Sequence, residues 1–225
     1  MVERGLQLNT GRYTGADFDL RRRKHALLVS LGRAADALAF AWHEYQSGPS
    51  TFTYATVMES APEAERSQWH SKAMEAIAQA ALYTVIPLWL ETNEIDRLVA
   101  RLRQAEDREL ELLGHATTEP AAMRLAPSHP DVAARIYRAL GMRILTAKKS
   151  TYYDAAVAHL AQAKRCYEQS GRQTEWLTLV TTIRRAHGRK YSFMPAFEQV
   201  VANQPPPPAV SFLERAQQRW QRRHS

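Results

Sequence analysis

The amino-acid sequence predicts an all-α protein, an α-solenoid of about seven to nine helices stacked as antiparallel hairpins. Three observations support this prediction. Glycine is scarce, at 9 of 225 residues, whereas alanine, leucine, arginine and glutamate are abundant, and this balance favours helices. Apolar residues recur at three- and four-residue steps along most of the chain, as on one face of a helix. No alternating apolar and polar run is long enough to predict a strand.

The first half of the chain is expected to contain three helical segments. The first begins near Leu20 and ends at Ser47-Gly48-Pro49, which is a strong stop signal. A short segment opens at Ser50, and a long helix then runs from Pro62 through Tyr83 until Pro87 ends or kinks it.

The second half contains clearer helix boundaries. Asn93 is a suitable N-cap and Gly114 a suitable left-handed C-terminal residue, so one helix is expected between them. A helix pair follows, starting at Pro130, turning at Lys148-Lys149-Ser150 and ending at Gly171. Two more helices are expected around residues 176–185 and 193–202.

These elements predict four segments. Residues 1–19, interrupted by glycines, are expected to be a flexible leader, and residues 20–204 form the helical-repeat domain. The stretch 115–130 contains three prolines and is a candidate internal boundary formed by a long loop. Residues 205–208 are a polyproline spacer, and residues 209–225 a basic amphipathic tail helix. This tail either packs Trp220 onto the body or acts as a tethered recognition helix.

Composition excludes several protein classes. Apolar residues make up 45% and charged residues 24% of the chain, values of an ordinary globular protein. The single cysteine, Cys166, excludes an intrachain disulfide framework and any site built from several thiolates. No secretory signal opens the sequence, and no apolar run approaches the roughly 18 residues of a membrane helix. We therefore expect a cytoplasmic protein without a transmembrane segment.

The helix pair in residues 130–171 is similar to a tetratricopeptide repeat, in which small residues let two helices approach closely. Tyr137, Leu140, Gly141 and Ile144 have the spacing of the first-helix signature, and Ala156, Leu160 and Ala163 that of the second helix. Gly141 and Ala156 are the expected close-approach positions.

A wider resemblance covers roughly residues 27–202. The motifs that carry it are Ala41-Trp42-His43-Glu44-Tyr45, Pro49-Ser50, Ala61-Pro62, Trp69, His129-Pro130-Asp131, Tyr137-Arg138-Ala139-Leu140, Tyr152-Tyr153, His159-Leu160, Trp176 and Arg189-Lys190. They resemble the C-terminal helical-repeat region of bacterial SWIM zinc-finger proteins and related uncharacterised helical proteins. The zinc finger itself needs Cys-x-Cys and Cys-x-His pairs, which one cysteine cannot supply.

No catalytic constellation is evident. There is no Gly-rich phosphate loop, nucleophile elbow or His-Glu-x-x-His pair. His115, Glu119 and His129 are the nearest approach to a metal cluster, and Cys166 lies on an apolar stripe where a buried, inert thiol is expected. We expect no cofactor and no metal.

The formal charge of +7 favours an anionic partner. We interpret the chain as a non-catalytic scaffold for protein–protein interaction, with an acidic protein as partner. The residues expected to bind it are Trp176, Arg184, Arg185, Arg189, Lys190, Tyr191 and Trp220. Non-specific nucleic-acid binding, with the arginines on phosphates and Tyr191 or Trp220 on bases, is the alternative. An enzyme of unrecognised type is the second alternative, and the sequence does not indicate an oligomeric state.

Overall fold

A computed structural model describes residues 15–203 of the protein, with side chains from Phe18 onward. It confirms the all-α prediction, since the described residues contain helices and no strand. Twelve α-helices occur there, more than the sequence predicted: α1 Gly15–Ser30, α2 Ala34–Ser47, α3 Thr51–Ser60, α4 Arg66–Ala76, α5 Leu82–Glu91, α6 Ile95–Gln104, α7 Asp107–Leu112, α8 His115–Leu125, α9 Pro130–Thr146, α10 Tyr153–Gln169, α11 Gln173–His187 and α12 Met194–Val201. Short 3₁₀ helices precede α4 (Glu63–Glu65) and α10 (Ser150–Tyr152).

The described chain divides into two compact units, with the boundary between Leu98 and Val99. The predicted boundary at 115–130 is wrong, because this stretch contains α8. Thr118, Ala121, Ala122 and Leu125 form a buried face of α8, whereas Pro120 lies on the exposed face. Burial of that face outweighs the one backbone hydrogen bond that a proline removes.

Residues 15–19 of the predicted leader belong to helix α1, whereas residues 1–14 of that segment lie outside the described residues. Helix α1 starts at Gly15 rather than near Leu20, and the ring of Phe18 lies 4.9 Å from that of Phe52. The predicted first helix is also two helices. Gly32, with φ of +70°, separates them, and Arg33 N–H donates to Leu28 O in a Schellman turn.

Two other boundaries in this part of the chain differ from the prediction. The predicted long helix through Tyr83 breaks at residues 77–81, between α4 and α5, and Pro87 lies inside α5. Asn93 is the left-handed residue that ends α5, with φ of +59° and with Glu94 N–H donating to Trp89 O, rather than an N-cap. Ser50 behaves as expected and forms a capping box with Thr53 at the start of α3.

Unit 2 departs from the prediction at one further glycine. Gly114 has φ of −72° and precedes α8, so it is not a left-handed helix end, and the predicted helix before it is divided into α6 and α7. The helices predicted around 176–185 and 193–202 are confirmed as α11 and α12.

The α9–α10 hairpin forms the centre of unit 2. Gly141 and Ala156 are both buried, and an added Cβ on Gly141 would lie 2.8 Å from Leu160 Cγ and 3.3 Å from Ala156 O. The two helices therefore approach so closely at Gly141 that a side chain there would require Leu160 to shift. This confirms the predicted close-approach positions.

Two predictions concern segments that lie outside the described residues, namely the polyproline spacer at 205–208 and the tail helix at 209–225. Among residues 15–203, no helix combines the length and apolar composition that crossing a lipid bilayer requires.

Candidate functional site

The predicted basic residues lie at one end of unit 2, where two turns meet. One turn joins α11 to α12 and contains Arg189, Lys190 and Tyr191. The other joins α9 to α10. Lys190 Nζ donates to Tyr153 Oη at 2.9 Å and lies 5.3 Å from the centre of that ring, while Tyr153 also packs edge-on against Phe193. These contacts hold the two turns side by side.

The joined turns carry more positive charge than the sequence clusters indicated. We call the group Lys148, Lys149, Arg185, Arg189 and Lys190 the basic surface. Apart from Lys190, each of its side chains is exposed and has no ion-pair or hydrogen-bond partner within residues 18–203. Four cations are therefore available to an anionic partner.

Arg184 is placed beside this surface but is already neutralised. Its Nε and Nη2 atoms donate to the two carboxylate oxygens of Glu198 at 2.9 and 2.6 Å. These hydrogen bonds lower the pKa of Glu198 and keep it ionised. Arg184 therefore ties α11 to α12, a role that the sequence did not indicate.

Of the two predicted aromatic site residues that the structure describes, Tyr191 is accessible and Trp176 is not. Its side chain is 83% exposed next to Lys190, and Tyr152, at 56%, is exposed beside the other turn. Trp176 is wrong as a partner anchor, since it is 4% exposed and packs against Phe197 at 6.1 Å. Its position on the apolar face of α11 explains this burial. Trp220 lies outside the described residues.

The C-terminal end of α11 forms a shallow depression within the site. Residues 184–190 line a shallow depression of about 560 Å³ around the helix C-terminus. A helix C-terminus carries partial negative charge, which the basic side chains of the last turn offset. Partial burial and the Lys190 charge lower the pKa of His187 in this depression. His187 is thus biased toward its neutral form, and the permanent charges come from arginine and lysine.

Unit 1 contains a polar cluster that sequence analysis missed. Tyr54 Oη lies 2.8 Å from His70 Nδ1, and His70 Nε2 lies 2.9 Å from Glu94 Oε1. Glu94 also pairs with Arg97. Burial raises the pKa of Tyr54, so the phenol remains protonated as a donor. These bonds join segments 16 and 24 residues apart in sequence, and no local motif indicates such pairs.

A second cluster in unit 1 is aromatic. Lys72 Nζ lies 4.4 Å from the centre of the Trp42 ring and 4.1 Å from that of Trp69, and the two rings meet edge to face. Both contacts are cation–π interactions, and the one with Trp42 stabilises α4 against α2, whereas Lys72 and Trp69 both belong to α4. The internal lysine already occupies the ring faces, so this arrangement is structural.

The structure also describes the surroundings of the residues that were considered for metal binding and for nucleophilic chemistry. Within the described part of the chain, no group of three or more His, Cys, Asp or Glu side chains is arranged to hold a metal ion. Cys166 is buried, and burial raises the pKa of its thiol, as expected for an inert cysteine.

Comparison with known proteins identifies the family. The model of a family of unknown function, DUF6880, matches residues 4–196, which is most of the chain. No curated protein and no solved structure matches the sequence. The chain belongs to DUF6880, a family of unknown function.

Proposed function

We propose that this protein is a non-catalytic cytoplasmic scaffold that binds an acidic segment of another protein on its basic surface. The observation that carries the proposal is the placement of four unpaired cations on two adjoining turns and the end of α11: Lys148, Lys149, Arg185 and Arg189. Most other arginines of unit 2 that line helix contacts are paired with carboxylates: Arg101 with Glu109, Arg103 with Asp131, and Arg135 and Arg138 with Asp107.

The helical architecture supports the same proposal. We infer that the α9–α10 hairpin is a tetratricopeptide-like repeat, akin to the helical regions of SWIM zinc-finger proteins. The close approach at Gly141 supports this inference. Such repeats present grooves and turns to partner polypeptides rather than assemble reactive groups. The lone buried thiol is compatible with a reducing compartment.

Nucleic acid is the second candidate partner, and one observation favours it. Tyr191 and Tyr152 are largely exposed beside the cations. Proteins that bind single strands combine positive charge with aromatic rings on which bases stack. An acidic peptide would use the charges and make less use of the exposed rings.

Fluorescence anisotropy with two probes tests both candidates. The probes are a glutamate-rich peptide and a single-stranded oligonucleotide of equal charge. We expect the Arg185→Glu/Arg189→Glu variant to bind the peptide roughly tenfold more weakly, because each reversal replaces an attraction of a few tenths of a kcal/mol with a repulsion of similar size. The control variant Arg108→Glu/Arg165→Glu changes the net charge equally at exposed positions outside the surface and should retain peptide binding.

The oligonucleotide separates the candidates. If nucleic acid is the partner, Tyr191→Ala should weaken oligonucleotide binding by about 1–3 kcal/mol through lost stacking. Binding should also fall steeply with salt. The scaffold proposal expects Tyr191→Ala to leave peptide affinity unchanged. Equal losses in the basic-surface variant and its control would contradict both candidates.

A further inference from the structure

A groove on unit 2 lies apart from the basic surface. Its volume is about 750 Å³, within the range of ligand-binding clefts. The groove is lined by residues of α9, α10 and α11 and of the segments next to them, namely Asp107, Arg135, Arg138, Met142, Tyr167, Gly171, Arg172, Thr174, Glu175, Thr178, Leu179 and Thr182. Met142 and Leu179 provide apolar contact area, and the other lining groups are mainly polar.

Most charged groups of the groove are engaged with one another. Arg135 donates to the carbonyl oxygens of Leu102 and Ala105 at the end of α6 and pairs with Asp107. Arg138 pairs with Asp107 and Glu111. These two arginines therefore hold α6 and α7 against α9. Because their charges are already balanced by carboxylates, the net charge of the groove does not indicate which ligand it binds.

At the end of the groove near Tyr167, the unused hydrogen-bonding groups are donors. Tyr167 is 4% exposed, yet its hydroxyl forms no hydrogen bond with any described residue. Burial raises the pKa of this phenol, which therefore remains a donor at neutral pH. The hydroxyl oxygen itself is open to the groove, so its hydrogen bond can be accepted there by a ligand or by water.

The start of α11 supplies further donors in the same groove. Arg172 is the N-cap residue and its side chain makes no capping hydrogen bond. The first intrahelical bond there is from Trp176 N–H to Arg172 O, so the three preceding amides lack an intrahelical acceptor. The guanidinium of Arg172 pairs with the exposed Glu175 at 3.2 Å and, at the longer distance of 3.8 Å, with Asp131, whose side chain is 17% exposed. The exposed pair with Glu175 is of the weak kind that exchanges easily.

We propose that this groove binds an extended peptide that places a carboxylate between the Tyr167 hydroxyl, the Arg172 guanidinium and the first turn of α11. Hydroxyl, guanidinium and helix amides together form a suitable carboxylate site. This site is independent of the proposed function of the basic surface.

The spacing of the α11 side chains along the groove matches an extended peptide as the rest of the ligand. Thr174, Thr178 and Thr182 line the groove at successive turns, about 6 Å apart. The hydroxyls of Thr178 and Thr182 donate to their own helix and so present lone pairs to a ligand. Same-side groups of an extended peptide recur at about 6.6 Å, which matches this spacing.

Titrations followed by ¹H–¹⁵N NMR test the proposal on the full chain. The probes are N-acetyl-alanyl-leucyl-alanine with a free carboxylate, its C-terminal amide, a peptide amide carrying the carboxylate on an aspartyl side chain, and acetate. We expect saturable shifts of the residue 173–175 amides with a peptide carboxylate, and roughly tenfold weaker binding of the neutral amide. The free-acid and aspartyl peptides show which source of carboxylate is preferred.

Variants of the protein test whether the peptide binds in this groove. Tyr167→Phe should weaken peptide binding about tenfold without lowering thermal stability, because its hydroxyl has no partner to lose. Arg172→Gln should weaken binding as well, whereas Tyr191→Phe removes a hydroxyl outside the groove and Arg185→Glu/Arg189→Glu alters only the basic surface, so both should bind normally. Equal affinity for free acid and amide, or no effect of Tyr167→Phe, would overturn the carboxylate site. Acetate binding as tightly as the peptide would overturn the extended ligand.

Discussion

Lys164 Nζ donates a hydrogen bond of 2.8 Å to the carbonyl oxygen of Val200, and the lysine that makes this bond is 95% buried. The same ammonium group donates to Val201 O and to Asn203 Oδ1. A side chain of α10 therefore caps the last turn of α12, where the helix dipole is negative. This cap therefore joins the end of α12 to α10.

Replacing this lysine should destabilise unit 2. Lys164→Met keeps the apolar stem but leaves the carbonyl oxygens at the end of α12 without their donor. We expect a loss of about 1–3 kcal/mol in the free energy of unfolding, measured by urea denaturation. Lys149→Met, at an exposed position, is the control. A variant as stable as the wild type would show that the cap contributes nothing.

Gly141 allows a second stability test. Gly141→Leu should cost roughly 1–3 kcal/mol through overpacking against Leu160, despite a better helix propensity. Gly114→Leu is the control, because an added Cβ at Gly114 meets no atom within 4 Å. A stabilised Gly141→Leu protein with unchanged helicity would contradict the hairpin register.

We expect His70 to stabilise unit 1, because its hydrogen bonds join three segments of the chain. His70→Ala removes the hydrogen bonds to Tyr54 and Glu94. It should lower the stability by about 1–3 kcal/mol. His43→Ala, whose side chain is 75% exposed, should have little effect. Hydrogen exchange would localise the loss to α3 and α4, and uniform exchange across both units would count against this role.

His159 predicts a pH dependence of stability. Partial burial lowers its pKa below 6.5, with Glu119 opposing and His115 adding to the shift, and its ring stacks on Tyr137. The unfolded chain therefore binds a proton more readily, so this stabilisation is lost as pH falls from 6.5 through the folded pKa. Urea midpoints above and below pH 6.5 should differ less in His159→Gln than in the wild type. An unchanged pH dependence would exclude His159 as a contributor.

The sequence predicts the four helices from α9 to α12 well. Pro130 begins α9 and Gly171, with φ of +70°, ends α10, because both signals act through local backbone geometry. Asn93 and Gly114 show the limit of such signals. Each residue type suits more than one end of a helix, and only the neighbouring elements decide which end it takes.

The pairing of charged side chains cannot be predicted from the local sequence. The acidic run near Asp107 suggests pairs within one helix, yet Asp107 pairs with Arg135 and Arg138 on α9. Likewise, the cations at 148–149 and 185–189 are remote in sequence, and the Lys190–Tyr153 contact joins their turns. Helix packing determines which arginines remain available to a partner.

Zero-length carbodiimide cross-linking tests most directly whether the basic surface receives an acidic polypeptide. The sequence contains six lysines, of which Lys148, Lys149 and Lys190 belong to this surface. Lys164 is buried, and Lys24 and Lys72 lie in unit 1 as internal controls. With a glutamate-rich peptide, mass spectrometry should find cross-links concentrated at positions 148, 149 and 190, and Arg185→Glu/Arg189→Glu should reduce them. Cross-links spread equally over Lys24 and Lys72, or unaffected by these substitutions, would contradict the account.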